Sequence, residues 1–98
     1  MATYISTLRF TEQGLKGISE SPKRANAFKA AAKKLGVKVT AEYWTLGPFD
    51  GVVIFDAPDE ETATSLMLQL SSLGNVQTRT ARAFNADEMG KILEKVKG

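Results

Sequence analysis

The sequence predicts a single α+β domain in which helices cover a four-stranded antiparallel sheet. Three observations support this prediction. The chain has 98 residues, which is the length of one domain, residues 1–98. Stretches with the alternation of strands are separated by stretches with helical periodicity, in the order β-α-β-β-α-β-α. Apolar residues make up 43% of the chain and charged residues 24%, which is typical of a protein that buries a core.

The chain begins with a predicted strand and an irregular helix. Residues 2–10 mix β-branched, aromatic and polar residues, as strands do. Residues 11–20 have a helical pattern but contain Gly14 and Gly17. Each glycine costs about 1 kcal/mol relative to alanine in a helix interior. We therefore expect this helix to be short or irregular.

A regular helix is predicted to follow. Ser21 has the residue type of an N-cap, and Pro22 then takes the first helical position. The apolar face comprises Phe28, Ala31, Ala32 and Leu35. Gly36 is expected to end the helix as a left-handed C-cap.

A hairpin and a second helix form the middle of the chain. Residues 37–46 and 51–57 read as two strands joined by the turn GPFD. Strict alternation places Val39 and Tyr43 on one face of the first of these strands, opposite Trp44. The next helix opens at Pro58-Asp59. Its apolar stripe comprises Ala63, Leu66, Met67 and Leu70.

The last elements are a strand at residues 76–84 and a C-terminal helix. Asn85 and Glu88 have the spacing of a capping box. The apolar face of this helix comprises Met89, Ile92, Leu93 and Val96. The first six elements match the ferredoxin-like βαββαβ sandwich, in which both main helices cover one face of the sheet and the first and third strands are central. The C-terminal helix is an addition to that arrangement.

The third strand, residues 51–57, is apolar on both faces. Val52 and Ile54 point to one side, and Val53 and Phe55 point to the other. A sheet covered by helices on one side alone would alternate apolar and polar residues. The second face is therefore expected to be covered by another subunit, by a ligand or by the C-terminal helix. A sheet-to-sheet dimer, an α+β barrel, would hide this surface.

Composition excludes several classes of chemistry. The chain has no cysteine and no histidine. It therefore lacks thiolates, the usual general base near neutral pH, the usual zinc ligand and the usual haem ligand. We expect no cofactor and no metal. No apolar run approaches the length of a membrane span, so we expect no membrane association and a cytoplasmic location.

Charge is distributed unevenly, although the net charge is only +2. Residues 9–38 are strongly basic, and residues 39–78 contain acidic residues but neither lysine nor arginine. Two solvated helices of opposite sign would give this pattern. A basic face that binds anions is the alternative.

Most of the chain resembles a known family. The segments are YISTLRFTEQGLKGISESPKRANAFKAAAKKLG, YWTLGPFDGVVIFDAPD and SLGNVQTRTARAF. Together they resemble the GYD domain family over residues 4–90. Gly47, Phe49 and Asp50 correspond to the motif that names the family, with Phe49 in place of tyrosine. The resemblance implies the dimeric α+β barrel superfamily and a homodimer or higher homo-oligomer. It implies no settled activity.

The hairpin contains the clearest candidate ligand site. Tyr43, Trp44 and Phe49 could line an aromatic pocket with Asp50 as an acid at its mouth. The structural alternative is that the aromatic residues belong to the core and that Asp50 stabilises the turn.

The strands contribute the remaining candidates. Arg9, Arg79 and Arg82 could bind a carboxylate from the sheet, or could form surface ion pairs. Tyr4 is a further candidate ligand contact. It matches the first-strand aromatic of RNA-recognition domains, which share this topology. In the third strand, Asp50 and Val52 fall where such domains have stacking aromatics, so we expect no nucleic-acid binding.

Three functions agree with these features. The leading hypothesis is a homo-oligomeric module without demonstrated catalysis that binds or senses a small apolar or weakly acidic molecule between sheet and helices. The second is a cofactor-independent oxygenase or isomerase that uses Trp44 and Asp50, so enzymatic activity stays open. The third is a structural or partner-binding subunit without a ligand.

Overall fold

A computed structural model describes all residues, 1–98. The four strands are β1 (Ala2–Phe10), β2 (Lys38–Trp44), β3 (Gly51–Ala57) and β4 (Val76–Ala83). The four helices are α1 (Glu12–Lys16), α2 (Ser21–Lys34), α3 (Glu60–Ser72) and α4 (Ala86–Val96), and a 3₁₀ turn covers Ile18–Glu20. No helix carries an apolar stretch that could cross a bilayer.

The strands form one antiparallel sheet in the order β2-β3-β1-β4. The first and third strands are central, which confirms the ferredoxin-like α+β arrangement. The register places Ile5 opposite Ile54 and Tyr4 opposite Phe55. One face of the sheet is covered by α2 and α3.

The core lies between the sheet and these two helices. Tyr4, Val53 and Phe55 supply the sheet side, while Ala32 and Leu66 supply the helix side. Phe55 and Leu66 are almost completely buried. Burial of these apolar side chains is the main source of stability in a domain this small.

The irregular first helix is confirmed. α1 has five residues, ends at Gly17 and is followed by the 3₁₀ turn. Thr11 caps it, since the Thr11 side chain accepts a hydrogen bond from the Gly14 N–H. Gly14 is buried against the carbonyl of Asn75, so a side chain at position 14 has no room.

The predicted cap of α2 is wrong by one residue. Ser21 is the first helical residue, and Glu20 precedes it without a capping hydrogen bond from its side chain. The Ser21 hydroxyl instead accepts a hydrogen bond from the indole of Trp44, at 2.9 Å. The helix ends as predicted, with Gly36 in the left-handed region at a φ of 74°.

The strict alternation predicted for β2 is also wrong. A bulge between Val39 and Ala41 shifts the register. Val39 pairs with Phe55 and faces the helices, whereas Tyr43 pairs with Val52 on the opposite face. An inserted residue of this kind leaves no mark in the hydrophobic pattern, because β2 is polar at several positions on both faces.

The C-terminal helix extends away from the rest of the domain. Asn85 and Glu88 form the predicted capping box. α4 makes no extensive contact with any other element, and its apolar side chains Met89, Leu93 and Val96 are exposed. The C-terminal helix therefore does not fold across the uncovered face of the sheet.

Candidate functional site

A cleft of about 460 Å³ lies on the helix-covered side of the sheet. α2 and α3 form its two sides, and the ends of β1, β2 and β3 form its floor and mouth. The larger apolar side chains in its lining are Leu8, Phe10, Phe28, Leu66, Leu70 and Leu73. Clefts that bind small molecules have volumes of roughly 300–1,000 Å³ and are mostly apolar with a few polar groups.

Trp44 lies at the mouth of this cleft. It is the last residue of β2, pairs with Gly51 and therefore points towards the helices. Its indole N–H donates to the Ser21 hydroxyl on α2. This hydrogen bond fixes the ring between strand and helix, although half of the residue stays exposed.

Asp50 lines the same cleft and also holds the hairpin loop in place. Its backbone N–H donates to the Leu8 carbonyl at 2.8 Å. Its carboxylate Oδ2 accepts from the Phe10 N–H, also at 2.8 Å. The loop is closed internally by Thr45, whose hydroxyl donates to the Phe49 carbonyl at 2.7 Å. Asp50 is therefore a structural residue and a cleft residue at once.

Two further charged side chains line the cleft, and the sequence did not single out either for this site. Arg24 of α2 donates to the carbonyls of Gly17 at 2.9 Å and Gly14 at 3.2 Å. Glu42 of β2 forms an ion pair with Lys29 at 3.0 Å. Arg24 and Glu42 come together only because α2 crosses the sheet beside β2, and the sequence pattern does not report that crossing.

Tyr43 is part of the cleft lining but projects mainly to the other side. It pairs with Val52, and 64% of its surface is exposed. Of the seven candidate ligand residues, Tyr43, Trp44 and Asp50 are brought to one cleft. Tyr4, Arg9, Phe49 and Arg79 do not line it.

Tyr4 lies in the core. Its ring stacks on Phe55 with the ring centroids 5.5 Å apart, and the Arg82 guanidinium lies 5.9 Å from the ring centroid. The Tyr4 hydroxyl is buried without a hydrogen-bond partner. Phe49 is half-buried in the loop, where its backbone carbonyl accepts the Thr45 hydrogen bond.

Arg9 and Arg79 lie on the sheet surface that faces away from the helices, which we call the open face. Arg79 pairs with Thr7 and Arg9 pairs with Gln77, so the two arginines are diagonal neighbours. The residues of the open face are Thr3, Ile5, Thr7, Arg9, Lys38, Ala41, Tyr43, Val52, Ile54, Asp56, Gln77, Arg79, Ala81 and Ala83. Ile5, at its centre, is 38% exposed.

Two carboxyl groups outside the cleft have shifted pKa values. The Thr62 hydrogen bonds hold the pKa of Asp59 below its usual value at the start of α3. At the start of α4, the backbone N–H of Asn85 and then the side chain of Arg82 lower the pKa of Glu88. Both groups act as helix caps, which stabilise the charged form.

Comparison with known proteins identifies the family. A model of the GYD domain matches residues 4–93. The chain belongs to the GYD domain family. This GYD protein is 34% identical over 85 residues to a protein of Thermus thermophilus named "Glutamine synthetase and cystathionine beta-lyase binding protein". The match covers 86% of this chain and 90% of that relative.

The fold has a solved counterpart. The crystal structure of TTHA0845 from Thermus thermophilus superposes with a TM-score of 0.57 at 27% sequence identity. The match covers 88% of this GYD protein and 96% of the solved chain. It supports the four-stranded antiparallel sheet with its helices.

Proposed function

We propose that this GYD protein is a self-associating, non-catalytic binding module. Two copies pack open face against open face, and the cleft on the helix side of each copy binds a small molecule. The observation that carries the proposal is that one sheet has two uncovered surfaces, each with apolar residues at its centre. One is the cleft of about 460 Å³, and the other is the open face.

The open face supports self-association because its centre is apolar. Ile5 and Ile54 are directly paired there, and Val52 lies beside them. A neighbouring sheet would remove these side chains from water at roughly 25 cal/mol per Å² of apolar surface. Two such sheets pack about 10 Å apart in natural sandwiches.

The available area is sufficient for a specific contact. Four strands spaced by about 4.8 Å, each with about eight residues at about 3.4 Å, give roughly 500 Å² of planar surface. Two copies would cover about 1,000 Å², which is the lower limit for a specific interface. The exposed apolar side chains of α4 supply additional area for the contact between copies.

A substitution that introduces a charge at the centre of the open face tests the self-association. Ile54→Lys should convert the assembly to monomers in sedimentation velocity, because a lysine in a sheet-to-sheet contact would be desolvated without a partner. Leu68→Lys is the matched control, since Leu68 is 65% exposed on the outer face of α3. Equal sedimentation of Ile54→Lys and the unmodified protein as a dimer would place the interface elsewhere.

Binding is favoured over catalysis by the state of Asp50. One carboxylate oxygen of Asp50 already accepts the Phe10 N–H, and this bond holds the loop. This structural role accounts for Asp50 without a catalytic one. A cofactor-independent oxygenase or isomerase that uses Trp44 and Asp50 is the alternative.

The second candidate function is binding of a metabolic enzyme. It is favoured by one observation, the name of the Thermus relative at 34% identity, which describes a protein that binds glutamine synthetase and cystathionine β-lyase. The test is co-sedimentation of the purified chain with purified glutamine synthetase of its own organism. Co-migration that survives Ile54→Lys would show a partner surface outside the open face.

A further inference from the structure

Two charged side chains in the cleft have no ionic partner. Asp50 is hydrogen-bonded to a backbone N–H, and Arg24 is hydrogen-bonded to two backbone carbonyls. The third charged group of the lining, Glu42, is already paired with Lys29. The cleft therefore presents one carboxylate and one guanidinium, of opposite sign, beside an apolar floor.

Both groups keep unused hydrogen-bonding capacity. A carboxylate can accept about four hydrogen bonds, and Asp50 accepts one through Oδ2. A guanidinium carries about five N–H groups, and Arg24 uses one on Gly17 and one on Gly14. The remaining capacity consists of acceptors on Asp50 and donors on Arg24.

A ligand with a single charge fits such a lining poorly. An amine would pair with Asp50 but would leave Arg24 without an ionic partner. A carboxylic acid would pair with Arg24 but would leave Asp50 without one. A charge that stays unpaired while a ligand excludes water from the cleft is costly.

We propose that the cleft binds a small zwitterion with an apolar side chain, of the class of apolar α-amino acids. The ammonium group contacts Asp50, the carboxylate contacts Arg24, and the hydrocarbon part packs against Phe28 and Leu70. This inference rests on the proposed ligand-binding function and names the ligand class for the same cleft.

Trp44 provides a reporter within the cleft. It is the only tryptophan of the chain, so its fluorescence and its indole N–H resonance are each a single signal. Its N–H is fixed on Ser21 at the mouth of the cleft. A ligand that enters the cleft changes the surroundings of this ring directly.

The test uses three molecules that share one branched hydrocarbon skeleton. Leucine carries both charges, 3-methylbutylamine lacks the carboxylate, and 4-methylpentanoate lacks the amine. Each is titrated into the full chain at neutral pH and constant ionic strength, with the Trp44 fluorescence and indole resonance as readouts. We expect leucine to bind at least about tenfold more tightly than either single-charge analogue, since each loses one charge-assisted hydrogen-bonding group.

Variants of the two charged groups separate their contributions. Asp50→Asn and Arg24→Gln should each weaken leucine binding by about tenfold. In Asp50→Asn the affinity for leucine should approach that for 4-methylpentanoate, and in Arg24→Gln it should approach that for 3-methylbutylamine. Arg24→Lys keeps the positive charge and should lose less affinity for leucine than Arg24→Gln does. Glu61→Gln on α3 and Lys34→Gln on α2 are matched controls at exposed side chains outside the cleft and should leave the affinity unchanged. Circular dichroism verifies that each variant is folded. The comparison of leucine with its two analogues uses the unmodified protein and therefore tests the proposal even where Arg24→Gln does not fold.

The outcomes test the ligand class separately from the proposed binding of a small molecule in the cleft. Equal or tighter binding of one single-charge analogue would overturn the zwitterion and leave ligand binding in the cleft intact. Absence of any Trp44 response to all three molecules would overturn both the zwitterion and the proposed small-molecule site.

Discussion

The carboxylate of Asp50 accepts a hydrogen bond from the backbone N–H of Phe10, across 40 positions of sequence, with the two atoms 2.8 Å apart. Together with the bond from the Asp50 N–H to the Leu8 carbonyl, it ties the hairpin loop to the end of β1. The same two bonds place Asp50 at the mouth of the cleft. The family motif therefore has a structural role that is independent of any ligand.

Removal of this carboxylate should destabilise the domain. Asp50→Ala leaves the half-buried Phe10 N–H without its acceptor, which costs about 1–3 kcal/mol. Asp50→Asn should cost less, because an amide oxygen can still accept. Urea unfolding measures both effects, with Glu94→Ala on α4 as a control carboxylate. Equal stability of Asp50→Ala and the unmodified protein would show that the loop is held by other contacts.

Loss of the Tyr4 hydroxyl should be neutral or stabilising. This hydroxyl is buried without a partner, and burial of an unsatisfied polar group is unfavourable. We expect Tyr4→Phe to change the free energy of unfolding by between zero and about 1 kcal/mol in the stabilising direction. Tyr43→Phe, at an exposed tyrosine, should have no effect. A clear loss of stability in Tyr4→Phe would reveal a hydrogen-bond partner for the hydroxyl in solution.

Alanine should have opposite effects at two glycines. At Gly14 a Cβ would lie 2.0 Å from the Asn75 carbonyl oxygen, so Gly14→Ala must displace backbone. We expect a loss of at least about 2 kcal/mol in thermal or urea unfolding, in the range of severe overpacking. At Gly90 nothing lies within 4 Å of the added Cβ, and Gly90→Ala should be neutral or stabilising by up to about 1 kcal/mol. Similar effects at both positions would contradict the close approach of α1 to Asn75.

The start of α4 should weaken in acid. Hydrogen bonds from Asn85 and Arg82 lower the pKa of Glu88, so the folded helix favours the charged form. This contribution is complete at neutral pH and is lost as the pH falls from about 5 through the lowered pKa of the folded state. Amide exchange at the start of α4 should therefore accelerate in acid, and Glu88→Gln should remove most of that dependence. Glu94→Gln in the same helix should not, and an unchanged acid response in Glu88→Gln would rule out this mechanism.

The sequence was informative wherever one local rule dominates. The capping box at Asn85 and Glu88, the glycine that ends α2 and the two apolar faces of β3 each follow from residue type and spacing, and each is present. The bulge in β2 was not predicted, because the apolar and polar pattern of this strand does not reveal one extra residue. The role of Ser21 was missed because its partner, Trp44, is 23 positions away and meets it only when α2 crosses β2.

The candidate site was predictable in part for the same reason. Tyr43, Trp44 and Asp50 are close in sequence, and the hairpin brings them to one cleft. Arg24 lies in the cleft because of the angle at which α2 crosses the sheet, and hydrophobic periodicity in the sequence does not predict that angle. Arg9 and Arg79 share one face of the sheet, but that face is separate from the cleft.

Native mass spectrometry of freshly purified protein tests the proposed self-associating binding module most directly. It measures the size of the assembly and any co-purified small molecule in one spectrum. We expect a species of at least twice the 10.6 kDa of one chain, with added mass from a bound small molecule. A bare monomer, with neither a second copy nor a ligand, would contradict the proposal.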